Sequence, residues 1–161
     1  MSFKGLFIEQ AHAEVGLVAV ADVFGADGVG SDVLSMRKHN RVCFVVHWGV
    51  GATGVNKFTV EACDDVTPTN VTAIPFWYRT LVGGAAPGAV TYQGTPATGF
   101  SNTAGSNQII LIETTAALVK ATGYNFVRLF ADETTDSPVL GGVLAFLLEP
   151  RFAEDETSMV A

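Results

Sequence analysis

Residues 41–48 read Arg-Val-Cys-Phe-Val-Val-His-Trp, and the run alternates. Val42, Phe44, Val46 and Trp48 fall on one face, with Arg41, Cys43, Val45 and His47 on the other. A period of two belongs to a β-strand, whose successive side chains point to opposite faces. Residues 55–62 repeat the pattern, with Phe58, Val60 and Ala62 inward and Lys57, Thr59 and Glu61 outward. Further strands are expected over 17–23, 71–78, 90–93, 108–113, 124–130 and 139–148. Pro75 marks an edge or a bulge in the 71–78 run, because it cannot donate to a ladder.

Between these runs lie turn-forming stretches, "GADGVGSD" at 25–32 and "CDDVTPTN" at 63–70. The long Gly/Ala/Pro/Ser/Thr-rich stretch 80–107 is unusual inside a compact domain and points to an interface or functional role. One short helix is expected near 115–122, with Thr114 or Thr115 as N-cap and Gly123 as the stop. Seven or eight short strands without helical crossovers predict an all-β fold, a β-sandwich of jelly-roll-like form.

The length, 161 residues, fits one domain. It divides into an N-terminal arm over 1–16, a sandwich over 17–152 and an acidic tail over 153–161. The first segment also reads as a possible first edge strand; it is too short to make its own core, and Phe3, Leu6, Phe7 and Ile8 need a surface to rest on.

Two strands carry more apolar side chains than one core requires. In 124–130, Val127 and Leu129 lie on one face and Phe126 and Phe130 on the other, with Arg128 between the phenylalanines. "VLGGVLAFLL" at 139–148 is apolar on both faces as well. An outward sandwich face is normally polar, so either the arm or another chain is expected to cover it, or the strand is buried on both sides internally. Aromatic residues are enriched at interfaces. Phe76, Trp77 and Tyr78 therefore join Phe3, Leu6, Phe7, Ile8, Phe126 and Phe130 as candidate protein-interface residues.

Charge excludes one class of partner. The net charge is −7, and Arg37, Lys38 and Arg41 around His39 are the nearest approach to a basic cluster. No nucleic-acid partner is expected, because the electrostatic footprint is missing. No membrane partner is expected either, since the longest apolar run has ten residues where a spanning helix takes about twenty. "MSFKGLFIEQ" lacks the features of a secretory signal.

Reactive chemistry is sparse. "HWGVGATG" places Gly49, Gly51 and Gly54 as G-x-G-x-x-G after a strand. A dinucleotide loop must open a helix, but "VNKFTVEA" alternates as a strand, so the glycines are expected in a tight turn joining two antiparallel strands. His12, His39 and His47 have no metal spacing. The loop aspartates lack the EF-hand order and suit Asx turns, and no G-x-S-x-G elbow occurs. Cys43 and Cys63 form no C-x-x-C pair; a disulfide between them is open, with two free thiols the simpler reading, and Cys43 reads as a small buried hydrophobe. "NVT" at 70–72 matches a glycosylation acceptor without other signs of secretion. No catalytic residues, cofactor or metal are expected, and the chain is not read as an enzyme.

Several stretches carry a resemblance: "LFIEQAH", "SDVLSMRKHNRVCFVVHWGVGATG", "FTVEACDDVTPTNVTAIPFWYR", "TAGSNQIILIE" and "ATGYNFVRLFADETTDSPVLGGVLAFLLEPRF". Together they resemble small structural virion proteins of tailed bacteriophages, of the capsid decoration or cement type. The resemblance implies a jelly-roll-like sandwich on the outer surface of a capsid, synthesised in the host cytoplasm. Its partner would be the major capsid protein, with self-association as a trimer favoured. The alternative is a carbohydrate- or receptor-binding domain of a head or tail fibre, with Trp48, Trp77 and Tyr78 as sugar-stacking platforms.

Overall fold

The computed structural model describes residues 7–25, 27–51 and 53–151. Phe3 and Leu6 lie outside these residues, as does the expected tail 153–161. A short helical turn, α1 (Phe7–Gln10), leads into strand β1 (Ala11–Val20). Then come β2 (Val29–Gly30), β3 (Leu34–Ser35), β4 (His39–Trp48), β5 (Val55–Cys63), β6 (Val71–Ile74), β7 (Phe76–Val82) and β8 (Thr91–Gln93). A 3-10 turn, Pro96–Thr98, precedes β9 (Phe100–Ser101), β10 (Gln108–Thr115), helix α2 (Ala116–Ala121), β11 (Phe126–Thr135) and β12 (Gly141–Pro150).

The strands form two antiparallel sheets. One has the order β1-β12-β4-β10-β7-β8; the other runs β2-β11-β5-β6, with β3 also on β11 and β9 on β5. The chain passes back and forth between the sheets, so the strands next to each other are mostly distant in sequence. This is an all-β sandwich with jelly-roll order.

Alternation produces the core. Val42, Phe44, Val46 and Trp48 from β4 face Phe58, Val60 and Ala62 from β5, and all seven are fully buried. Phe24 stacks on Trp48 at 5.2 Å and meets Phe58 edge-on at 5.9 Å. Burial of each such side chain contributes about 1.5–3 kcal/mol before ordering costs. Trp48 Nε1 donates to Gly105 O at 2.9 Å, which satisfies its one polar atom and ties down the loop before β10.

Helix α2 caps one end of the sandwich. The Thr115 side chain accepts from Leu118 N at the N-cap, and Gly123 takes φ 89° just past the C-terminus. Left-handed backbone there suits glycine.

Three expectations change. The sandwich begins at Ala11 rather than residue 17, because residues 11–16 pair with β12 as an edge strand. The 71–78 run is two strands in different sheets: at Pro75 the chain passes from β6 to β7, and Thr114 Oγ1 donates to the Pro75 carbonyl at 3.0 Å. The glycines of "HWGVGATG" form no hairpin, since β4 and β5 belong to opposite sheets. None of the three has positive φ. They are small because the 137–140 segment lies against them: a Cβ on Gly49 would come within 2.5 Å of Leu140 O, and one on Gly51 within 2.5 Å of the Val139 side chain.

Candidate interaction surface

The outward side chains of the six-stranded sheet follow from the strand register. One row reads Val15, Leu144, Val45, Leu111 and Arg79 across β1, β12, β4, β10 and β7. The next reads Ala13, Phe146, Cys43, Glu113, Trp77 and Tyr92, reaching β8. Flanking rows place Gly142, His47, Ile109 and Leu81 on one side and Ala11, Leu148, Arg41 and Thr115 on the other. The centre of this face is apolar. Val15 is 52% exposed, Leu144 46%, Ile109 41% and Tyr92 53%; Val45, Leu111, Phe146 and Leu148 are half-buried. An outer sheet face in water normally alternates to polar residues, and contiguous apolar patches of this kind mark contact sites.

Charged groups border it. Arg41 bridges Glu113 at 3.0 Å and Glu149 at 2.9 Å. Arg79 Nε donates to Gly88 O at 2.7 Å, fixing the guanidinium against the 83–90 loop. Trp77 and Tyr92 pack ring to ring at 5.0 Å. Between them and β4 lies a shallow depression of about 470 Å³, lined by Cys43, Trp77, Arg79, Leu111 and Glu113 among others. A second hollow of about 420 Å³ is neutral, with Thr80, Thr103, Ser106 and Gln108 beside Phe100.

The two cysteines are free thiols. Cys43 points outward on the exposed face and is half-buried, so it is not a core residue; Cys63 ends β5 and is buried. Burial pushes both thiols up to about 11; at Cys43 Glu113 adds to the rise and Arg41 opposes it, whereas at Cys63 Arg128 opposes it and Glu61 adds. Neither is a ready nucleophile at neutral pH. Asp64 accepts from Thr69 N, Asn70 N and Asn70 Nδ2, and the Asn70 bonds lead in holding its carboxyl below the usual range. His12 and His39, remote in sequence, have ring centroids 6.4 Å apart, and His12 Nε2 is 2.7 Å from Glu14 Oε1. Among the described residues no three His, Cys, Asp or Glu side chains group as metal ligands, and no helix is long and apolar enough to cross a membrane.

The structure distributes the interface candidates over several places. Trp77 lies on the exposed face. Phe7, 62% exposed, sits at its border with its ring 5.5 Å from Phe146. Ile8 lies in α1. Phe76 is fully buried, so it belongs to the core and to no surface. Tyr78 faces inward and stacks on Phe100 at 4.0 Å. Trp48 is fully buried and offers no platform to a sugar. Phe126 and Phe130 lie on the outer side of the other sheet, where Arg37 covers Phe126 at 5.3 Å and Arg128 covers Phe130 at 5.4 Å. Val15, Val45, Ile109, Leu111, Leu144, Phe146, Leu148 and Tyr92 were not singled out by the sequence reading. The signal was present in "VLGGVLAFLL" and "QIILIE", where both alternating sets are apolar.

Compared with known protein families, with curated proteins and with solved structures, the chain matches none.

Proposed function

We propose that this chain is a structural protein that docks onto other protein through the outer face of its six-stranded sheet, as a decoration or cement subunit on a bacteriophage capsid. The apolar row running from Val15 to Leu111, with Phe146 and Trp77 in the row beside it, carries the docking part of this reading. The virion setting rests on the sequence resemblance. Leu144, Ile109 and Val15 are about half exposed, so covering them with a partner adds about 0.7–1.5 kcal/mol for each side chain before ordering costs. Self-association, as a trimer for instance, would let one particle engage several repeated sites at once and so raise a modest single-site affinity.

The test is co-sedimentation with undecorated capsids assembled from the major capsid protein of the same genome. Saturable binding at a fixed ratio, lost in Leu144→Glu, supports the reading; wild-type protein that stays in the supernatant refutes it.

A carbohydrate-binding role is the second reading, favoured by the neutral hydroxyl- and amide-lined hollow at Thr80, Thr103, Ser106 and Gln108. Sugars are bound by such groups with an aromatic wall alongside, here Phe100. Binding on a glycan array that disappears in Thr103→Val would favour it over the capsid role.

A further inference from the structure

The depression beside Arg79 differs from the rest of the apolar face. Leu111, Cys43 and the Trp77 ring give it an apolar wall, and Glu113, between Cys43 and Trp77 in the register, is turned to Arg41. Of the two arginines at its border, Arg41 is already neutralised by Glu113 and Glu149. Arg79 is not: among the described residues it has no carboxylate partner, and its one hydrogen bond, Nε to Gly88 O, leaves the terminal nitrogens available. The guanidinium is therefore held in place by the backbone while its charge remains unmatched.

We propose that this depression is the anchor point of the docking face, and that it takes a protein segment in which a carboxylate neighbours a large apolar side chain. The apolar side chain fills the hollow against Leu111 and Trp77, and the carboxylate meets the free fork of Arg79. This inference rests on the docking role proposed above and names the chemistry of the partner. The occupant is a protein segment rather than a small acid because the apolar surface continues beyond the hollow through Val45, Leu144 and Phe146. A ligand of about 470 Å³ would leave that surface uncovered. Tryptophan, tyrosine and arginine side by side is also the composition in which binding energy concentrates at protein interfaces. A planar guanidinium pairs a carboxylate through two parallel bonds, which gives direction as well as energy.

The full chain, immobilised, is panned against a displayed library of random heptapeptides. The expected result is enrichment of Asp or Glu next to Phe, Leu, Met or Trp. A synthetic peptide of the enriched sequence should shift the Trp77 indole and Arg79 Nε–H resonances. Arg79→Gln should weaken that peptide about tenfold, the loss of roughly one charge-assisted bond. Arg79→Lys should retain the preference for acid while losing part of the affinity. No enrichment, enrichment without acidic residues, or a peptide indifferent to Arg79→Gln overturns the inference.

Capsid docking separates this failure from that of the wider reading. If Leu144→Glu abolishes docking and Arg79→Gln leaves it unchanged, the anchor is wrong and the face is right. If both variants dock like wild type, the face itself is wrong. Folding of each variant is checked by its urea midpoint, so that a lost interaction is not confused with a lost structure.

Discussion

Arg128 Nε lies 2.7 Å from Glu61 Oε2, directly across the β11–β5 register on the outer side of the second sheet. The same guanidinium covers the Phe130 ring. One side chain thus meets a carboxylate and shields an aromatic that has no place in the core. The second sheet covers much of its outer apolar surface from within the chain, and the first sheet leaves its own open.

Glu61→Gln should destabilise the fold by about 1–2 kcal/mol, since it leaves a partly buried guanidinium without its charge partner. Urea denaturation measures the loss. The double variant Glu61→Gln/Arg128→Met should recover part of it, and strict additivity of the two single losses would count against the coupling.

Gly49→Ala should cost about 1–3 kcal/mol, because the new methyl meets the Leu140 carbonyl at 2.5 Å and the backbone on both sides is hydrogen-bonded. Gly25→Ala is the control. No heavy atom lies within 4 Å of its would-be Cβ, so its midpoint should stay within about 0.5 kcal/mol of wild type.

Trp48→Phe removes the hydrogen bond to Gly105 O and leaves space in a sealed core. A loss of about 2–3 kcal/mol is expected. Hydrogen exchange should accelerate in the 103–107 loop before it does in β5, and uniform acceleration would show that the bond does not hold the loop.

Leu144→Glu places a charge on the exposed face without disturbing the core. Stability should change by about 0.5 kcal/mol or less. Light scattering of the isolated protein should show less association at high concentration; an unchanged profile would mean that this face does not mediate contact between copies.

Alkaline pH should weaken the fold through its thiols. Both cysteines ionise near 11 when folded, against an ordinary value of 9.0. Between those values the unfolded chain gives up protons that the folded chain keeps. Their contribution is therefore fully present below about pH 9 and is lost as pH rises toward 11. Comparison of urea midpoints at about pH 8 and about pH 10.5 tests this, and the Cys43→Ala/Cys63→Ala variant should lose less stability across that interval than wild type.

Much of the architecture was legible from periodicity. The β4 and β5 patterns assigned Val42, Phe44, Val46, Trp48, Phe58, Val60 and Ala62 to the core correctly, and Thr115 and Gly123 bounded the helix where expected. Sheet membership was not legible, because two consecutive strands look alike whether they pair or face each other; that is why Gly49 to Gly54 suggested a hairpin. The interface candidates suffered from the same gap. Phe76 and Trp77 are neighbours in sequence, yet a strand sends one to the core and the other to the surface. The exposed face is assembled from β1, β12, β4, β10, β7 and β8, six segments spread over the chain, and local pattern does not report which of them end up side by side.

The first and last strands are neighbours, with Ala11 opposite Leu148. The start of β1 and the end of β12 therefore lie at the same end of the sandwich. A pull applied to those two ends opens the β1–β12 pair one rung at a time, like a zip, instead of shearing all its rungs together. The sandwich is then mechanically soft when stretched between Ala11 and Leu148.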